Sequence, residues 1–146
     1  MSDTVAQPAA PQVATRELLQ LAIDNQPFTL WTGMELVDVE PGRVSVRMAF
    51  RPEDMTQHHG FLHGGMTAFL ADTAAAYAAA TAIGDVVTAQ FSLNYLSPGV
   101  GEAFLAEGKV VKSGKRQTVV AVEVWSEPQN KLIATAQAVI LSPGSA

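Results

Sequence analysis

The sequence predicts an α+β domain: one long central helix wrapped by a curved antiparallel sheet of five to six strands, with a short N-terminal helix. Three observations predict it. An alanine-rich apolar stretch at residues 66–83 is too long for a strand and reads as a helix. Runs with a two-residue period lie on both sides of it, separated by Pro, Gly and Asn turn signals. The βαβ alternation of a doubly wound sheet is missing.

Taken in order, residues 1–14 read as a mobile tail rich in Ala, Pro and Gln, and residues 15–146 as a single domain. Thr15 caps a short amphipathic helix over 15–25, with Leu18, Leu19, Ala22 and Ile23 on one face and Pro27 ending it. Residues 36–39 and 43–50 read as strands joined at Pro41-Gly42. In the second, Val44, Val46, Met48 and Phe50 form a buried face, and Arg43, Ser45 and Arg47 a wet one. Residues 51–62 have no period and read as a loop. The long helix covers 65–82, and its small alanines let a sheet approach closely. Strands follow at 86–96, 102–112, 117–126 and 131–141. The first of these places Val87, Ala89, Phe91, Leu93 and Tyr95 on one side.

Composition excludes several functions. Nine Lys and Arg against fourteen Asp and Glu give a net charge of −5, which disfavours a general nucleic-acid binder or a basic membrane-surface protein. With no cysteine there is neither a disulfide nor a thiolate ligand or nucleophile. The N-terminus lacks a basic patch followed by an apolar core, so a cytoplasmic protein is expected. A membrane span at 66–83 would have to insert Asp72, at about 2.5–3.5 kcal/mol near mid-membrane, so a buried helix is expected instead. Neither a G-x-S-x-G elbow nor a phosphate-binding G-x-x-x-x-G-K-[ST] loop occurs. His58, His59, His63 and Asp72 are not expected to hold a metal, because the glycines between them break the helical spacing that would converge the imidazoles.

Asp72 is the most informative residue. It lies among Phe69, Leu70, Ala71, Ala74, Ala75 and Ala76 with no charged neighbour along the helix. A carboxylate there needs a partner, a hydrogen bond or a wet cleft. It either caps or pairs for structural reasons, or it is a functional base or nucleophile. His63-Gly64-Gly65 opens the helix. Its unpaired N–H groups and positive dipole end suit an anion or a developing oxyanion, although the motif taken alone reads more readily as an ordinary Gly-rich helix entry. The seven residues from Gly65 to Asp72 span about 10 Å of helix. That is long for one small reacting group, and a second subunit could bring its own glycine turn closer.

The run HHGFLHGGMTAFLADTAAAYAA resembles the hotdog-fold acyl-CoA thioesterases of the phenylacetate-degradation (PaaI-like) group, whose acidic residue lies nine positions after the histidine, as Asp72 does after His63. The resemblance continues through FSLNYLSPG and KSGKRQTVVAVEVWSEPQNKLIATAQAVI, over about residues 30–142. It implies a hotdog fold and hydrolysis of an acyl-CoA thioester, with no cofactor. It further implies Asp72 as general base or nucleophile, the Gly64 N–H as oxyanion donor, and His63 supporting the turn, with Gly65 beside it at the substrate. Gln57 would orient water or carboxylate. Thr88 would assist the water, since Ala76 stands where some relatives use Thr. In this family one subunit supplies the acid and its partner the Gln and Gly, in a homodimer that assembles into a homotetramer. Lys112, Lys115 and Arg116 flank a turn that in relatives lies near the CoA phosphates; a solvated hairpin tip is the alternative for each. Phe61, Phe69 and Tyr77 are core residues by default that an acyl pocket would also use. A hotdog dehydratase or hydratase and a non-catalytic acyl-CoA-binding hotdog protein are the other functions the fold allows, and the presence of both Gln57 and Asp72 favours catalysis.

Overall fold

A computed structural model describes residues 12–145. Helix α1 (Arg16–Asp24) is capped by Thr15, whose side chain accepts the Leu18 N–H, and it buries Leu19 and Ile23. Most of the tail expected at 1–14 lies outside the described residues, but within them the Ala14 N–H donates to the Ala80 carbonyl at 2.9 Å. Pro27 does not merely stop α1. It opens a second helix, α2 (Pro27–Thr32), and Pro52 likewise opens α3 (Pro52–Met55) inside the stretch expected to be loop. The reason is the same for both. Proline is pre-organised for the first helical position, where its missing N–H has no partner to lose.

The sheet has six antiparallel strands: β1 (Glu35–Glu40), β2 (Arg43–Ala49), β3 (Val87–Tyr95), β4 (Ala103–Ser113), β5 (Thr118–Glu127) and β6 (Lys131–Leu141), in the order β1-β2-β4-β5-β6-β3. Strand β3 is therefore an edge strand. Helix α4 (Gly64–Ile83) lies against the sheet, with eleven of its twenty residues buried, among them Leu70, Ala71, Ala74, Ala75 and Ala78. It is long and apolar enough to cross a membrane, but that apolar surface is the core of this fold. Sheet and helix approach closely at Gly108, where a Cβ would lie 2.5 Å from the Ala74 carbonyl oxygen. Phe104, Met48, Leu70, Ile133 and Ile140 are fully buried in the core between sheet and helix.

Two local expectations are corrected. Ser45 is buried rather than wet, with its hydroxyl 3.4 Å from Glu107 Oε2 under the Arg43 ion pairs. In β3 the simple alternation breaks, because Thr88 and Gln90 pair with consecutive β6 residues, Ile140 and Val139, leaving Ala89 as a bulge. Thr88, not Val87 or Ala89, then shares the helix-facing side with Phe91 and Leu93.

Candidate active site

One stripe of α4 is not covered by the sheet. Phe69, Asp72, Thr73 and Ala76 are each half-buried, at the spacing of one helical face. Asp72 is thus at an opening rather than sealed in the core, and its Oδ1 accepts a 2.8 Å hydrogen bond from the Thr88 hydroxyl. The β3 bulge makes this bond possible by turning Thr88 towards the helix. The bond occupies one carboxylate oxygen. Beside Asp72, Phe69 packs edge-on against Phe28 of α2 at 5.1 Å, and Phe28 stacks on Trp31. Both α2 aromatics are about half exposed. Tyr77, by contrast, is core, and burial pushes its phenol up to about 12.

The second group of residues gathers at the other end of α4. A cleft of about 580 Å³ is lined by Gln57, Phe61, His63, Gly64, Gly65 and Tyr95, among others. His63 caps the helix: its Nδ1 accepts the Gly65 N–H at 2.9 Å, and its carbonyl accepts the Met66 and Thr67 N–H groups. With Nδ1 an acceptor, the neutral imidazole carries its proton on Nε2, facing out. The Gly64 N–H has no hydrogen-bond partner among the described residues. Gln57 Oε1 is held by the His59 and Phe61 N–H groups, so the amide nitrogen is what this side chain presents to a ligand. Tyr95, which alternation places on the same side of its strand as Phe91 and Leu93, is 60% exposed, and its hydroxyl donates to the Gly64 carbonyl at 2.8 Å. Nothing in the local sequence marks that bond, which joins residues 31 positions apart.

Within one chain, then, the expected site residues fall into separate sets. Asp72 and Thr88 meet. Gln57, His63, Gly64 and Gly65 meet elsewhere, in a cleft that neither Asp72 nor Thr88 lines. Lys112, Lys115 and Arg116 line a third depression, of about 360 Å³, at the β4–β5 hairpin tip, and among the described residues none of them pairs with a carboxylate. Register puts this tip at the same end of the sheet as Thr88, since Thr88 and Thr118 both face Ile140 on either side of β6.

Residues 59–133, from the loop before the glycine turn to the start of β6, match the family model of the thioesterase superfamily. The chain belongs to that superfamily. Its antiparallel sheet around one long helix is the hotdog fold, and its relatives place it in the PaaI-like group of hotdog thioesterases. Human acyl-coenzyme A thioesterase 13 is 34% identical over 123 residues, covering 82% of this chain and 87% of that protein. Acyl-coenzyme A thioesterase PaaI of Escherichia coli is 30% identical over 107 residues, covering 73% and 76%. Among solved structures, a thioesterase family protein from Silicibacter pomeroyi superposes with a TM-score of 0.80 at 31% identity, covering 84% of this chain and 93% of that one. The PaaI protein of the E. coli phenylacetic acid degradation operon gives 0.78 at 25% identity, covering 85% and 89%. Thioester hydrolysis is the general activity these relationships support.

Proposed function

We propose that this hotdog thioesterase hydrolyses acyl-CoA at a site built by two subunits, with Asp72 and Thr88 from one and Gln57, His63 and Gly64 from the other. The observation that carries this is the position of the two groups relative to β3. Thr88 and Tyr95 sit at opposite ends of that strand, seven residues or about 23 Å apart. Among the described residues β3 pairs on one side only, with β6, so its outer edge can take a partner strand. Antiparallel pairing of β3 with its own copy about a two-fold axis sets the Thr88 end of one strand against the Tyr95 end of the other. Each Asp72 then faces the glycine turn of the partner subunit.

In that arrangement the Gly64 N–H and the Nε2 proton of His63 polarise the thioester carbonyl, and Asp72, steadied by Thr88, deprotonates the attacking water. The C–S bond breaks, CoA leaves as a thiolate and takes up the proton, and the free acid departs. Direct attack by the free Asp72 oxygen, followed by hydrolysis of the anhydride, uses the same geometry. The acyl group would lie along the open α4 stripe beside Phe69 and Phe28. Lys112, Lys115 and Arg116, which line one depression at the hairpin tip, are the cations we assign to the CoA phosphates.

The deciding experiment mixes two impaired variants, Asp72→Asn and Gln57→Ala. A mixed dimer holds one site with both residues intact, so thiol release from an acyl-CoA panel should return on subunit exchange. Activity that stays at the level of the separate variants would rule out a shared site, and wild-type rates in Asp72→Asn would rule out the carboxylate's role.

A further inference from the structure

We infer that Tyr95 is a positioning residue for the glycine turn, holding the peptide between Gly64 and Gly65. The preceding His63–Gly64 peptide is held through its carbonyl by the Met66 and Thr67 N–H groups, so φ and ψ of Gly64, and with them the direction of the Gly64 N–H, are fixed from both sides. The inference deepens the thioesterase reading above and rests on it. The Gly64–Gly65 peptide is held at both ends: the Gly64 carbonyl accepts the Tyr95 hydroxyl at 2.8 Å, and the Gly65 N–H donates to His63 Nδ1 at 2.9 Å. Two successive glycines otherwise leave this backbone the widest range of conformations in the chain. A donor that rotates freely loses most of its value to a developing oxyanion, whose stabilisation depends on dipoles fixed beforehand. The ring also packs on the turn. A Cβ at Gly64 would lie 3.0 Å from the Tyr95 hydroxyl oxygen and 3.1 Å from Cζ, so glycine at 64 and tyrosine at 95 fit as a pair. Because Tyr95 ends the β3 edge, the clamp also ties the turn to the strand proposed to form the dimer seam.

Tyr95→Phe keeps the ring and removes only the hydroxyl. It should lower kcat about tenfold, the scale of one lost hydrogen bond, with KM, dimer formation and melting temperature close to wild type. Gly64→Ala displaces the same hydroxyl, so the double variant Gly64→Ala/Tyr95→Phe should lose less than the product of the single losses. Wild-type kcat in Tyr95→Phe, with a defect only in Tyr95→Ala, would assign the residue to packing and overturn the clamp. So would strictly multiplicative losses in the double variant. These results leave the thioesterase reading standing; a wild-type protein that releases no thiol from any acyl-CoA overturns both.

Discussion

Replacing Thr88 with valine removes a hydroxyl and almost nothing else. The side chain keeps its β-branched shape, and strand β3 keeps a residue suited to it. What is lost is the 2.8 Å bond to Asp72 Oδ1. Hydrogen bonds to charged groups are worth about 1.5–3 kcal/mol, which as a barrier corresponds to roughly 10- to 150-fold in rate. Asp72 is half-buried, and water reaching the open stripe can replace part of the lost donor. The low end of that range therefore applies, about tenfold in kcat. KM should hold, because the bond aims the carboxylate and does not grip CoA. Thr88→Ser retains the hydroxyl and should remain near wild type. Steady-state thiol release with a chromogenic thiol reagent measures both constants, and thermal unfolding checks the fold. An unchanged kcat in Thr88→Val, or an equal loss in Thr88→Ser, would refute the role given to this bond.

Two further predictions concern the scaffold. At Gly108 a Cβ would sit 2.5 Å from backbone rather than at the ordinary 3.4 Å or more. Gly108→Ala must therefore push α4 off the sheet by roughly 1 Å, at a cost of about 1–3 kcal/mol. It should lower both the melting temperature and, because Ala74 is two residues from Asp72, the turnover; an equally stable variant would contradict the close contact. The Tyr77 phenol is raised by burial from 10.0 to about 12, so its neutral form is the one the fold favours. The linked stability is fully present below pH 10 and is lost as the pH rises through about 12. Denaturant melts of Tyr77→Phe between pH 10 and 12 should fall less steeply than those of the wild type, and parallel slopes would remove Tyr77 as a cause.

Much of this architecture is legible in the residues because burial imposes a period. The two-residue alternation of Val44, Val46 and Met48 and the unbroken alanine face of α4 identify sheet and helix without further information. Asp72 is visible for the opposite reason, as a charge in an apolar context. The features that escape are those decided by a distant neighbour. Helices α2 and α3, of six and four residues, are too short to display a 3.6-residue period, and a proline that can end one helix can also start the next. The bulge at Ala89 exists only relative to β6, so alternation in β3 alone assigns Thr88 to the wrong face. Tyr95 resembles a core aromatic at the end of a strand until the fold brings Gly64 beneath its hydroxyl.

The glycine turn shows how the fold sets one donor apart. A helix begins with N–H groups that have no partner within it. In α4, His63 satisfies three of them, Gly65 through its ring and Met66 and Thr67 through its carbonyl. Among the described residues the Gly64 N–H is the one of the four without a partner, half-buried in the wall of the cleft. The other three donors of the first turn are already engaged, whereas this one faces an open cleft that a ligand can enter. A ligand carbonyl entering there meets a single N–H not already committed to the cap. Glycine at 64 also leaves room for Tyr95: a Cβ there would crowd the hydroxyl at 3.0 Å and shift it by a few tenths of an ångström, loosening its bond to the Gly64 carbonyl.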